Sequence, residues 1–137
     1  MRYLRKKVDS FTLSELLVVL VIVGILILIA LPQLMPLISR ARSVEAKQAL
    51  KHLHTLQKTH YFEYSRYSDE LQKIGFEQES LVTAENGGNA NYQIEIVNAS
   101  PQAFLARATA VVDFDGDGQF NVWEIDQQGQ LNEVIPD

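Results

Sequence analysis

Residues 11–31 constrain this chain more than any other stretch. From Leu16 to Leu31, sixteen consecutive residues carry no polar side chain. Taken back to Phe11, the run is 21 residues long with one charge, Glu15. As a helix rising 1.5 Å per residue it extends about 30 Å, enough to cross a hydrocarbon core. Arg2, Arg5, Lys6 and Lys7 precede it, against one acid, Asp9. The positive-inside rule leaves residues 1–10 in the cytoplasm and everything after residue 31 on the other side.

Glu15 is the odd residue. A carboxylate in a membrane-spanning helix costs roughly 2.5–3.5 kcal/mol on insertion scales, so it needs a reason to be there. One reason is local: Thr12-Leu13-Ser14-Glu15 fits the T-x-x-E capping box, with Thr12 as N-cap. The other is a cation buried at the same depth. No Lys or Arg lies in the span, so that cation would come from another chain or from a new amino terminus made by cleavage nearby.

The stretch Ser10-Phe11-Thr12-Leu13-Ser14-Glu15-Leu16-Leu17-Val18, behind a short basic leader and ahead of an apolar helix with Gly24 and Pro32, resembles the amino-terminal signature of type IV prepilins and the related pseudopilins. The resemblance implies cleavage by a prepilin peptidase between Ser10 and Phe11, then methylation of the new amine. It implies that Glu15 pairs with the Phe11 amine of a neighbouring subunit during filament assembly. It also implies that the Gly24–Pro32 interval unwinds or stretches in a packed filament. Family members nearly always carry Gly before the cut, where this chain has Ser10. The plainer alternative is an uncleaved single-pass anchor. A conventional secretory signal has a shorter apolar core and a small-x-small site, which Ile29-Ala30-Leu31-Pro32-Gln33 does not offer.

The segments that follow divide the chain into a leader (1–10), an apolar helix (11–36), an amphipathic spine (37–67) and a globular head (68–137). In the spine, Ala46, Ala49, Leu50, Leu53, Leu56, His60 and Tyr64 recur at three- and four-residue steps, one helical stripe. One helix is expected from about Phe11 to about Ser65. His52, His54 and His60 lack the i, i+3 or i, i+4 spacing of a helical metal pair. In the head, Tyr67–Phe76 reads as a cap, a helical turn and a Gly stop, and Glu85–Asn89 as a turn. Period-two patterns then predict strands around Tyr92–Val97, Ala103–Val112, Asn121–Asp126 and Leu131–Val134. The alanines of the second would let it lie close to the helix. The expected fold is α+β and pilin-like: a long helix packed on a carboxy-terminal antiparallel β-meander.

Charge separates along the chain. Residues 39–67 hold six Lys or Arg and two acids, whereas residues 68–137 hold two cations and thirteen acids. A basic stem under an acidic head could steer subunits into register, or could be only a solvated stem beneath a head kept soluble by its charge. The acidic head argues against direct nucleic-acid contact, which needs clustered cations. There is no cysteine, so no disulfide braces the exported part.

A second motif runs from Asp113 to Glu124. It matches the calcium-loop template, with Asp113, Asp115, Asp117, Gln119, Asn121 and Glu124 as ligands. Calcium takes six to eight oxygens, and closely spaced carboxylates supply them. Yet both flanks read as strands, and Asp-Gly-Asp-Gly is a strong hairpin turn by itself, so a metal-free turn stands beside the calcium reading. Resemblance to the major pseudopilin of type II secretion implies calcium, while resemblance to pilins with an Asp-rich turn before Trp-x-Ile-Asp implies a plain hairpin.

The resemblance implies a structural subunit of a type IV pilus-like filament, major pilin-like. It further implies assembly from the inner membrane by a platform, with identical subunits as partners and lipid around the helix beforehand. The alternatives are a type II secretion pseudopilin and a non-assembling membrane-anchored calcium-binding module. No enzymatic motif is present: no Cys, no G-x-S-x-G and no phosphate loop.

Overall fold

The computed structural model describes residues 9–137; the leader cations at positions 2–7 lie outside them. The described residues fall into two compact units, 9–34 and 35–137. One helix, α1 (Leu13–Tyr64, 52 residues), contributes to both.

In the first unit every residue from Leu16 to Leu31 is exposed, and the helix is long and apolar enough to cross a membrane. It passes Gly24 and Pro32 without interruption. The interval expected to open in a packed filament is therefore helical in the single chain.

In the second unit α1 buries Ser39, Ser43, Ala46, Leu50, Leu53 and Gln57. This stripe keeps the expected spacing but drifts from the expected residues at its end. Leu56 and His60 are only half-buried and Tyr64 is exposed. Gln57 takes the buried position because both ends of its amide find partners, donating to the Ser68 carbonyl at 2.7 Å and accepting from the Ser68 amide at 3.0 Å. That pair ties the helix to the chain just beyond its end, where Ser65 reverses direction at φ 56°. The expected helical turn after Tyr67 is a single hydrogen-bonded turn over residues 71–75. Gly75, at φ 77°, closes it, and the Phe76 amide returns to the Leu71 carbonyl at 2.9 Å.

The head is a four-stranded antiparallel meander: β1 (Tyr92–Ala99), β2 (Phe104–Ala110), β3 (Val122–Asp126) and β4 (Leu131–Ile135), in that spatial order. The strands match the period-two segments of the sequence. Ile94 stands opposite Ala108, and Ala108 opposite Trp123, so these side chains share one face. That face packs with Ala46, Leu50 and Leu53 of α1 in one cluster. Ala106 and Ala108 are completely buried, as expected if small side chains bring β2 close to the helix. The free edge of β1 is covered by a side chain: Gln78 accepts from the Ile94 amide at 2.8 Å and donates to the Tyr92 carbonyl at 3.2 Å. It stands where the next strand's peptide group would be, which blunts an edge otherwise open to pairing.

Candidate assembly segment and acidic loop

The amino-terminal motif forms a reciprocal cap. The Thr12 amide donates to Glu15 Oε2 at 2.8 Å, and the Glu15 amide donates to Thr12 Oγ1 at 3.4 Å. Two of the helix's free amino-terminal donors are thereby served. Ser10 and Phe11 precede the helix and are exposed, Phe11 at 79%. Glu15 stays exposed within this cap, so the arrangement leaves its charge uncompensated by any cation among the described residues. Gly24 and Pro32 lie on the exposed apolar part of α1.

The acidic loop closes on its own backbone. Asp113 accepts from the Gly116 amide at 2.6 Å and the Gly118 amide at 2.8 Å. Asp115 accepts from the Asp117 amide at 3.0 Å, and Asp117 from the Gln119 amide at 2.7 Å. Gly116 and Gly118 take φ values of 81° and 89°, which glycine alone adopts without strain. The amides of Gly118 and Gly116 hold the Asp113 carboxyl below its ordinary range. Asp115 is raised: the Asp117 amide lowers it, but desolvation and the charges of Asp117, Asp137 and Asp113 outweigh that pull.

As a metal site the loop fits in part. Asp113, Asp115 and Asp117 bring ligand oxygens within 4.8 Å of one another. Gln119 is exposed beside them, its side chain donating to Asp117 at 3.3 Å. The other two expected ligands are elsewhere. Glu124 lies on β3 and pairs with Arg107 at 2.7 Å. Asn121 is fully buried, accepting from the Tyr92 hydroxyl at 2.8 Å and donating to Glu133 at 2.8 Å. The template assumes a helix after the loop, whereas the strand found here turns alternate side chains to opposite faces. Asp113, Asp115 and Asp117, with Gln119 beside them, are the part of the expected ligand set that lies together.

The histidines are separate. His54 contacts the Gln127 carbonyl at 3.2 Å and His60 the Arg66 carbonyl at 2.9 Å, while His52 lies 5.9 Å from the Phe76 ring. Gln57 and Gln78 had no expected role in the sequence, and Asn121, expected as a ligand, is a buried hydrogen-bonding residue instead. Gln57 alone carried a signal, as it continues the 43-46-50-53 spacing.

Comparison with known proteins covers both segments. Residues 5–31 match the prokaryotic N-terminal methylation motif. Residues 32–120 match the family described as type IV minor pilin ComP, DNA uptake sequence receptor. The chain is also similar to the type IV major pilin protein PilA of Myxococcus xanthus (strain DK1622), 46% identical over 70 residues. That match covers 51% of this chain and 32% of the relative, so the chain spans about a third of the curated relative it matches. With the methylation motif, the long apolar helix and the family match over more than half its length, this chain belongs to the type IV pilin family.

Proposed function

We propose that this chain is a structural subunit of a type IV pilus-like filament, assembled from the inner membrane after cleavage between Ser10 and Phe11. The observation that carries the reading is the exposed apolar run from Leu16 to Leu31 with Glu15 at its head. Such a surface is stable in lipid or against other apolar helices and is unstable in water. Transfer from bilayer to filament exchanges one apolar setting for another, so the helix is never exposed to water. Glu15 supplies direction: its carboxylate neutralises the Phe11 amine of a neighbour, an ion pair that forms only when helices are in register. A prepilin peptidase and an inner-membrane platform are the partners this route requires.

The secretion pseudopilin reading leaned on a six-ligand calcium loop. It loses that support because Asn121 and Glu124 are engaged elsewhere. The loop is closed by its own backbone amides, and we read the chain as a structural subunit and not an enzyme. The matched family description names DNA uptake, but residues 68–137 carry two cations against thirteen acids. Phosphate contact needs the reverse, so the head of this chain is not assigned a nucleic-acid surface.

The test is assembly of a Glu15→Ala variant. It should insert in the membrane as wild type does and be scarce in sheared filaments. Normal filament yield would remove the role given to Glu15.

A further inference from the structure

The second unit carries two opposite charged surfaces on separate flanks of α1. Arg40, Lys47, Lys51 and Lys58 follow one another at steps of seven, four and seven, which places them within about 40° on the helical wheel. They form a seam along one flank. Lys47 lies 4.3 Å over the Trp123 ring, and Lys58 donates to the Tyr67 hydroxyl at 3.1 Å. Arg40 and Lys51 are exposed. Among the described residues, the ion pairs are Lys73–Glu70, Arg107–Glu95 and Arg107–Glu124. None of them uses a cation of the seam.

The other flank carries the complement. A groove of about 290 Å³ runs between α1 and residues 76–79, lined by Glu45, His52, Phe76, Glu77, Glu79 and Tyr92. No Lys or Arg lines it. Glu45 is held in place by Asn91, accepting from its backbone amide at 2.7 Å and its side-chain amide at 2.8 Å. Those bonds orient the carboxylate without neutralising it. Phe76 and Tyr92, both buried, close the floor of the groove beneath the three acids. A lysine fits such a groove, with its ammonium at the carboxylates.

We propose that this groove receives Lys51 of a second copy of this chain, so that copies associate flank to flank. Glu45 and His52 stand about 120–140° from the seam on the wheel. A surface and its complement on different flanks make a head-to-tail contact that repeats from copy to copy instead of closing into a symmetric pair. The proposal rests on the filament reading and specifies one contact within it. The groove discriminates by charge: an acid at position 51 meets three carboxylates.

The experiment is a charge swap in the full chain, read as sheared filament yield against processed chain in the membrane. Lys51→Glu alone, and Glu77→Lys with Glu79→Lys, should each lower the yield about fivefold, the scale of a lost ion pair made repulsive. The combined variant should recover most of it. Wild-type yield from either reversed variant, or no recovery in the combination, overturns the contact. Since the chain has no cysteine, Lys51→Cys with Glu79→Cys adds a direct readout. Oxidised filaments should then run as a ladder of cross-linked copies, and filaments that give monomer alone overturn the proposal. If the unaltered chain is never sheared from cells, the filament reading itself fails, and this contact with it.

Discussion

The Tyr92 hydroxyl donates to the Asn121 side-chain carbonyl across 2.8 Å, joining β1 to the residue that opens β3. Tyr92 and Asn121 are 1% and 0% exposed. Asn121 also donates to Glu133 at 2.8 Å and to the Ile135 carbonyl at 2.9 Å. One amide thus ties the first strand to the last. Tyr92→Phe should cost about 1–1.5 kcal/mol, the worth of one buried hydrogen bond. Asn121→Ala leaves several buried groups unpaired and should cost about 2–3 kcal/mol. Urea unfolding measures both, and equal costs would contradict the picture.

The same tyrosine sets an alkaline limit. Burial foremost, then the carboxylates of Asp137, Glu45 and Glu133, push its ionisation well above the ordinary value. A folded pKa above the unfolded one means the native state holds its proton longer. The contribution is full below the unfolded value near 10 and is lost as pH rises through the folded value. Stability of the wild type should therefore fall above about pH 10, and Tyr92→Phe should flatten that fall in a pH series of thermal melts.

Ala106 and Ala108 are completely buried, in one cluster with Ala46, Leu50 and Leu53 of α1. A larger side chain at Ala108 must push β2 off the helix. Ala108→Leu should cost about 1–3 kcal/mol by overpacking, whereas Leu at exposed Thr55 should cost little. Thermal unfolding of the two variants makes the comparison.

At the acidic loop, the Gly118 and Gly116 amides lower the Asp113 pKa. A depressed folded pKa contributes order above the unfolded value, near 3.9 in model peptides, and that order is lost as pH falls through the folded value. The amide resonances of Gly116 and Gly118 should shift together in acid below about pH 4. Asp113→Ala should abolish the acid transition. We propose that amide closure alone holds the loop, so calcium at millimolar concentration should leave both resonances and the melting temperature in place, and a shift in either would restore the metal reading.

Glu15 has a second, sharper variant. A capping box takes Glu or Gln alike, but an ion pair needs the charge. Glu15→Gln should keep helix content by circular dichroism and lose filament yield as Glu15→Ala does. Filaments at wild-type level from Glu15→Gln would reduce the residue to a cap.

Much of this fold is local in the chain and so legible there. The strands of the meander have two-residue periodicities, and the turn glycines Gly75 and Gly129 take positive φ where a stop was needed. What escaped is non-local. Gln57 looks like a surface residue until Ser68 is placed against it. Gln78 finds its partners 14 and 16 residues away on β1. Glu124 matched a linear calcium template, yet β-pairing sets it directly opposite Arg107, 17 residues earlier. Cross-strand register, not spacing, decided its role.

The central claim is that this chain is cut before Phe11 and built into a surface filament. Intact mass of the protein in sheared filaments and in membranes tests it most directly. The account predicts sheared material whose chain begins at methylated Phe11; a chain beginning at Met1 and confined to the membrane would contradict it.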